Sequence, residues 1–295
     1  MELMAKVVGM NTSDGLVNLN AVDKDSSMYN LKVNSIDAQA IKLGHTYIFN
    51  YDIVDGLERK SYNVVSFTEI TELDFSLADE ALRAFYPGSP ISAKDAQEEV
   101  NKYIELIDND IIKEITKYLI NKYHDKFFIY PAASKMHHAY VGGLAYHSIG
   151  MLNLADGFLK NYPYLNKDYL YAGIMLHDIG KALELSGVVN TEYSLKGQLV
   201  GHLVLGAMEI ELAAKELGYA DCKEALYLEH MLISHHGMPQ FGSAKKPATA
   251  EALALWYIDT IDSKFRVLGE ELAKTKEESY TDSIGVLDRT KIYKI

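Results

Sequence analysis

The segment that most constrains this chain is residues 172–185, AGIMLHDIGKALEL, in which eight of fourteen side chains are Ala, Ile, Met or Leu. His177, Asp178 and Lys181 lie in its middle. A helix that is apolar on most sides is expected to be buried. A buried carboxylate or ammonium is costly unless it is paired or bound to a metal. The segment therefore predicts a polar site inside a helical core.

The composition indicates a globular protein of a reducing compartment. The chain has 295 residues, of which 48% are apolar, so one large domain or two can form a sizeable core. Its single cysteine, Cys222, excludes a disulfide framework and a thiolate-built zinc site. No apolar run approaches the ~20 residues that cross a bilayer, and the N-terminal residues lack the pattern of a signal peptide. We therefore expect a cytoplasmic protein that does not contact membranes.

The charge limits how the chain meets nucleic acid. The formal net charge is −12, which argues against a broad nucleic-acid-coating surface. Residues 1–75 hold six basic and eleven acidic side chains, and the remainder is also acidic. Contacts with phosphate are therefore expected to be local or mediated by metal.

Residues 1–72 are expected to form a separate all-β domain. Polar or glycine-containing turns separate five short segments rich in Val, Ile, Tyr and Phe: AKVVGM, GLVNLNAVD, MYNLKVN, HTYIFNYDIV and KSYNVVSFTEI. Five strands in about seventy residues predict an OB-like barrel. Alternation places Tyr47, Phe49, Tyr51 and Ile53 on one face. This face is either part of the barrel core, which we favour, or a platform on which bases stack.

From about residue 76 the apolar spacing changes to three and four residues, which indicates helices. We expect a helical connector over residues 73–130 and a large α domain over residues 131–295. The predicted fold class is thus mainly α, with an OB-like barrel before the helical domain.

Five predicted helices of the α domain carry polar residues on an apolar face. In chain order they hold His147, His177 with Asp178, His202, His235 with His236, and Asp259 with Asp262. A single histidine in such a place is usually a core residue bonded to a carbonyl group. Five such helices would need many separate partners, whereas one bound cation satisfies imidazoles and carboxylates together. Helical bundles commonly build metal sites in this way.

Three segments carry a resemblance to a known family: YPAASKMHHAYVGGLAYHS (130–148), HDIGKALELSG (177–187) and ISHHGMPQFGSAKKPATAEALALWYIDTIDSK (233–264). The order of histidines and aspartates resembles the HD-domain superfamily of metal-dependent phosphohydrolases. The three segments are similar, more narrowly, to the YhaM-type 3′-to-5′ exoribonucleases. Those proteins place an OB-type nucleic-acid-binding domain before an HD domain.

The resemblance implies a set of metal ligands with Asp178 as the bridging carboxylate. The implied ligands are His147, His177, Asp178, His202, His235 and Asp259. His236 and Asp262 are further candidates, and we favour Asp259 over Asp262 because Arg266, four residues on, explains Asp262 as a helix ion pair.

Other residues are expected to act on the substrate. Lys181 and Asp178 are the expected catalytic residues, although Lys181 could instead extend to the surface. The expected substrate-binding residues are His137, His138, Lys245 and Lys246. A helix cap or exposure to water explains the two histidines equally well, and a solvated loop is the commoner setting for the two lysines.

The implied cofactors are two divalent transition metals, which together suit an in-line displacement at phosphorus. An imidazole-rich site favours such metals over Mg or Ca; we expect Mn or Fe, with Co, Ni or Zn as alternatives. The expected function is a 3′-5′ exoribonuclease that releases mononucleotides from single-stranded RNA, or else from DNA. The alternatives are a phosphohydrolase of nucleotides or other small phosphoesters, a di-iron oxidase, and a non-catalytic nucleic-acid-binding protein. The sequence leaves the oligomeric state open.

Overall fold

A computed structural model describes residues 1–13, 15–55, 60–133 and 140–295. The chain forms two compact units, one of residues 1–88 with 187–191 and the other of residues 89–186 with 192–295. The three-part division predicted from the sequence, with a connector at 73–130, stays a prediction. Among the described helices, none is both long and apolar enough to cross a bilayer.

The first unit contains a closed five-stranded barrel. Its strands are β1 (Glu2–Ser13), β2 (Leu16–Val22), β3 (Met28–Asn34), β4 (Thr46–Asp55) and β5 (Lys60–Glu69). Around the barrel they follow the order β1-β2-β3-β5-β4, and β1 pairs with β4 to close it. The β3–β5 pair is parallel and the other pairs are antiparallel. The predicted OB-like barrel is confirmed. A helix, α1 (Phe75–Phe85), follows it in the same unit.

The aromatic face of β4 is buried at the start of the strand and exposed towards its end. Tyr47 and Phe49 are 1% and 0% exposed, and both belong to the barrel core. Tyr51 is half-buried, and its ring lies edge-on to Tyr62 with centroids 5.5 Å apart. Ile53 is 37% exposed. The core interpretation is confirmed for Tyr47 and Phe49, so bases cannot stack on them.

The second unit is helical. Its helices are α2 (Ala93–Glu105), α3 (Asp110–Lys122), α4 (His124–Ile129), α5 (Gly143–Asn161), α6 (Lys167–Leu176), α7 (Lys181–Glu184), α8 (Leu195–Leu199), α9 (His202–Glu216), α10 (Lys223–Ser234) and α11 (Ala250–Lys274). A short hairpin of β6 (Ser279–Tyr280) and β7 (Tyr293–Lys294) follows. Helix α11 packs against α5, α6 and α10, so residues from separate parts of the chain meet around it.

Two segments that we predicted as continuous helices are interrupted beside a histidine. Helix α6 ends at Leu176 and α7 begins at Lys181, while α8 ends at Leu199 and α9 begins at His202. Between α6 and α7 the chain makes tight turns, in which the N–H of Ile179 donates to the carbonyl of Leu176 at 3.0 Å. Apolar residues continue through these turns, so their spacing does not reveal the interruption. The continuous helix predicted through the HD pair is wrong.

Side-chain caps fix where several helices of the second unit begin. The hydroxyl of Thr249 accepts the N–H of Ala252 at 3.1 Å and so caps the start of α11. The carboxamide of Asn166 caps α6 in the same way. These caps set the register of two helices that carry polar residues into the core.

We expect Phe49→Ala to destabilise the barrel by about 3–5 kcal/mol, because it removes a fully buried ring and leaves a cavity. Urea unfolding followed by circular dichroism, with hydrogen exchange of peptides from residues 2–69, measures the loss. Val65→Ala is the control, because Val65 is 65% exposed on β5 and its truncation should change the stability by less than about 0.5 kcal/mol. Equal effects of the two substitutions would contradict this account of the core.

Candidate metal centre

Five imidazole rings gather around one carboxylate in the second unit. The rings are those of His147, His177, His202, His235 and His236, and the carboxylate is that of Asp178. Neighbouring ring centroids lie 4.4 to 5.8 Å apart. His177 and His235 are each 1% exposed and Asp178 is 3% exposed. The structure therefore brings together, deep in the core, histidines that the sequence distributes over several elements.

Each of these five rings donates a hydrogen bond from Nδ1 to an oxygen outside the cluster. For three rings the acceptor is a backbone carbonyl, which can only accept, so Nδ1 must carry the hydrogen. The three bonds are His177 to Ile174 at 2.7 Å, His235 to Leu232 at 2.7 Å, and His236 to Phe241 at 3.0 Å. In the neutral form of each ring, Nε2 then keeps its lone pair and faces the cluster.

Carboxylates hold the other two rings. Asp262 Oδ2 lies 2.8 Å from Nδ1 of His147, and Glu184 Oε1 lies 3.0 Å from Nδ1 of His202. Glu184 Oε1 also accepts the backbone N–H of His202 at 3.0 Å, which fixes the first residue of α9. A carboxylate at this position orients a histidine ligand and raises the basicity of its other nitrogen.

Acceptor atoms face one another at the centre of the cluster. His177 Nε2 lies 3.2 Å from Asp178 Oδ2, and His202 Nε2 lies 3.3 Å from Asp178 Oδ1. His177 Nε2, His202 Nε2 and Asp178 Oδ1 are buried without a hydrogen-bond partner among the described residues. Two facing lone pairs repel each other unless a proton or a cation lies between them. The donor set, neutral imidazole with carboxylate, fits a divalent transition metal.

Lys181 partly balances the charge of Asp178, since its Nζ lies 2.6 Å from Asp178 Oδ2. Burial alone would raise the pKa of Asp178, but Lys181 and His177 outweigh burial and hold this pKa well below its usual value. Burial lowers the pKa of His235 well below its usual value and also lowers that of His236. Asp178 is thus ionised, and the nearby rings of His235 and His236 are neutral.

His147 differs from the other rings because a carboxylate lies at each nitrogen. Its Nε2 is 3.2 Å from Asp259 Oδ1, and its Nδ1 faces Asp262. Burial alone would lower the pKa of His147, but the two carboxylates outweigh it and raise this pKa to about 9. Asp259 therefore faces the cluster, whereas Asp262 lies behind the ring and also accepts Arg266 Nε at 3.3 Å.

Two groups of side chains in the cluster have donor atoms close enough to hold an ion. One group is His147, His177 and Asp178, and the other is His202, His235 and His236. Within each group the donor atoms lie within 4.8 Å of one another. Asp178 also approaches the second group, because its Oδ1 lies 3.3 Å from His202 Nε2 and 3.9 Å from His235 Nε2.

The absence of a side chain at Gly180 allows the turn that carries the HD pair to meet helix α9. A Cβ atom added at Gly180 would lie 2.1 Å from the carbonyl oxygen of His202. Gly237, after His235 and His236, has a φ of +79°, and a Cβ there would lie 1.9 Å from the ring of Trp256. Larger residues at these two positions would displace the histidines from the cluster.

Of the predicted substrate-binding residues, the two that the structure describes do not lie in the cluster. Lys245 and Lys246 are exposed and do not line the cavity at the cluster, so their contact with substrate stays a prediction. His137 and His138 lie outside the described residues. Sequence reasoning missed Glu184, which is 6% exposed and contacts His202. A carboxylate in the apolar segment KALEL was the available signal, by the same argument that singled out Asp178.

A cavity of about 970 Å³ opens from the cluster. His147, Asp178, Lys181, His202 and Asp259 form part of its wall. Aromatic side chains form another part, namely Tyr193, Phe241, Trp256 and Tyr257. A ligand that enters this cavity would meet charged groups beside exposed rings.

Comparison with known proteins shows which family has a domain model that matches this part of the chain. Residues 144–264 match the family model of the HD domain, and every residue of the cluster lies within the match. The chain contains an HD domain. The chain is also similar to the 3′-5′ exoribonuclease YhaM of Geobacillus sp. (strain WCH70), with 44% identity over 210 residues. That match covers 71% of this chain but only 64% of the relative's length.

We expect metal binding by the HD domain to strengthen with pH. With a pKa of about 9, His147 holds a proton on Nε2 at neutral pH, and a metal must displace this proton to reach the nitrogen. The apparent affinity should rise about tenfold per pH unit between about pH 7 and about pH 9, and then level off. Calorimetry in two buffers of different ionisation enthalpy counts the protons released. Release of no proton at about pH 7.5 would contradict this account.

The carboxylates behind the HD-domain histidines should also control metal affinity. We expect Asp262→Asn and Glu184→Gln each to weaken metal binding about 10- to 100-fold, because each removes the acceptor charge that orients a ring. Competition with a chromogenic chelator measures the affinity. Asp168→Asn is the control, since Asp168 is buried in the same unit but accepts the backbone N–H groups of Asp108 and Asn109 instead. If the control loses as much affinity, the effect comes from general damage to the fold.

Proposed function

We propose that this chain is a metal-dependent phosphodiesterase that removes mononucleotides from the 3′ end of single-stranded RNA. One observation carries the proposal. Imidazole Nε2 atoms and two carboxylates converge on a cavity wall, with buried acceptor atoms that only a proton or a cation can satisfy. The similarity to YhaM, whose name describes a 3′-5′ exoribonuclease, supports the choice of reaction and substrate.

The proposed ligands of one ion are His147, His177, Asp178 and Asp259, and those of a second are His202, His235, His236 and Asp178. Asp178 is the bridging carboxylate in this proposal, because its two oxygens face different groups of histidines. Asp262 and Glu184 orient ligands and do not bind metal themselves. Mn or Fe is the proposed metal, since imidazole nitrogen suits transition metals better than Mg or Ca.

Bound divalent cations would supply Lewis acidity and lower the pKa of coordinated water, and both effects promote phosphodiester hydrolysis. Lys181 holds Asp178 in its ionised form and lies on the cavity wall, where its ammonium also attracts a substrate phosphate. Burial keeps His235 and His236 neutral, so the lone pairs of these two rings stay available.

The barrel is proposed to bind the RNA chain. Closed five-stranded barrels of this type commonly hold single strands by stacking bases on aromatic rings. Tyr29, Tyr51 and Tyr62 are half-buried and form edge-to-face pairs with ring centroids 6.5 and 5.5 Å apart. These three rings, rather than Tyr47 and Phe49, are the candidates for stacking, because they lie partly open at the barrel surface.

A second candidate is a phosphohydrolase of free nucleotides or similar small phosphoesters. The volume of the cavity, about 970 Å³, favours it as an alternative, because pockets of about 300–1,000 Å³ typically bury small ligands. In this case the barrel would regulate the protein or assemble it.

The function is tested with one RNA oligonucleotide labelled at either end, in the presence of Mn. A 3′-5′ exoribonuclease should release the 3′ label at once as a mononucleotide, and should shorten the 5′-labelled strand step by step. EDTA should abolish both reactions. Products of internal cleavage would contradict an exonuclease, and turnover confined to a panel of free nucleotides would support the second candidate.

Loss of Asp178 should remove hydrolysis and metal together. We expect Asp178→Ala to lower kcat by about 1,000-fold or more, because it deletes a carboxylate that faces both histidine groups. Metal content, measured by elemental analysis of the purified variant, should fall in parallel. Asp168→Asn serves as the matched control and should keep both. A variant that loses metal but keeps its rate would contradict the proposal.

A further inference from the structure

The exposed side of helix α11 continues the cavity wall beyond Asp259. Thr260, Ser263 and Lys264 line the same cavity as the metal-ligand cluster, together with Tyr257 one turn earlier. Lys264 follows Asp259 by five residues, which corresponds to about 7.5 Å along the helix axis. A group bound at Lys264 is therefore distinct from one held at Asp259.

Lys264 is a half-buried cation without an ion-pair partner among the described residues. Two other cations near the cluster, in the part of the chain that the structure describes, are already paired, Lys181 with Asp178 and Arg266 with Asp262. On the same helix, Lys274 is also paired, with Glu271 at 2.9 Å. An ammonium at a cavity wall that does not form an ion pair can attract an anion from outside the protein.

The hydroxyl of Thr260 is also without a hydrogen-bond partner among the described residues. Helical threonines usually donate to the carbonyl four residues earlier, as Thr116 does to Ile112 at 2.7 Å. Ser263, by contrast, donates to Asp259 at 3.1 Å. Thr260 and Lys264 lie four residues apart and therefore share one helix face. Together they offer two donors to the same anion.

Exposed aromatic rings line the same cavity. Tyr193, Phe241 and Tyr257 are 50%, 63% and 49% exposed, although side chains of this kind usually bury their rings. Stacking of a base on such a ring contributes about 1–3 kcal/mol and tolerates any base. A ligand that carries both an anionic group and flat rings could bind the ammonium and the hydroxyl and also stack on the aromatic rings.

We propose that Thr260 and Lys264 form a phosphate-binding subsite for the nucleotide next to the scissile bond. In this subsite the ammonium and the hydroxyl bind the neighbouring phosphodiester, and Tyr257, Phe241 and Tyr193 stack bases. The substrate class is a single strand with at least two phosphodiesters. The inference rests on the proposed function, and it names Lys264 and Thr260 as binding residues rather than catalytic ones.

Steady-state kinetics on two substrates test the subsite. Triadenylate has two phosphodiesters, whereas bis(p-nitrophenyl) phosphate has only one and cannot reach Lys264 while it is hydrolysed. We expect Lys264→Met to raise KM for triadenylate about tenfold, and to leave kcat and the reaction of the small diester within about twofold. Lys264→Arg should restore KM, because it keeps the charge. Lys274→Met is the matched control from the same helix.

Equal losses on both substrates would overturn the inference, because Lys264 would then act at the scissile phosphate or on the fold. No loss on triadenylate would overturn it as well. The kinetics of the wild-type protein test the proposed function separately. If the wild-type protein hydrolyses the small diester but not triadenylate, the exoribonuclease proposal fails, whatever the effect of the Lys264 variants.

A binding measurement without hydrolysis tests the subsite separately from the proposed activity. Fluorescence anisotropy of a hydrolysis-resistant 5′-fluorescein triadenylate phosphorothioate with the metal-loaded protein reports affinity at several salt concentrations. Lys264→Met should reduce the slope of log Kd against log salt by about 0.7, the value for one phosphate contact on a single strand. Tyr257→Ala should weaken binding about tenfold and Tyr257→Phe should not. An unchanged salt slope in Lys264→Met would contradict the phosphate contact.

Discussion

The helical unit depends on one constraint, namely that buried imidazole lone pairs must meet a partner. Nδ1 of each ring in the cluster is already engaged outside it, so Nε2 can only face inward. There the Nε2 atoms of His177 and His202 meet Asp178, whose oxygens are also acceptors. Such an arrangement is unfavourable alone and favourable around a cation. The fold of the HD domain is thus coupled to the chemistry of its ligand.

Helix ends provide the outer partners of two rings. The last carbonyls of a helix lack intrahelical N–H partners. His177 and His235 each follow the last residue of a helix, and each donates Nδ1 to the carbonyl three residues earlier. One hydrogen bond therefore satisfies the helix end and fixes the tautomer of the ring. The turn after Leu176 therefore orients the ring of His177, and the end of α10 orients that of His235.

Much of the fold and of the cluster could be predicted from the sequence, because buried faces show a periodic pattern of apolar residues. Polar residues on apolar faces identified the cluster around His177, and strand alternation identified the barrel. The interruption at Leu176 was not predictable, since a tight turn preserves the apolar spacing. The ion pair of Asp262 with Arg266 was correctly predicted from their spacing. The contact of Asp262 with His147 was not predictable in this way, because His147 lies on another helix and spacing along one helix does not show such a contact.

The distribution of charge explains how an acidic chain could bind the proposed phosphodiester substrate. Net charge acts over a distance that salt screens within about 10 Å, so only groups at the cavity decide what binds there. Near the cluster, Lys181 and Arg266 form ion pairs with Asp178 and Asp262, and both carboxylates contact histidines. In the proposed complex, the positive potential for the substrate would then come from bound metal and from Lys264, which lines the cavity without an ion-pair partner among the described residues.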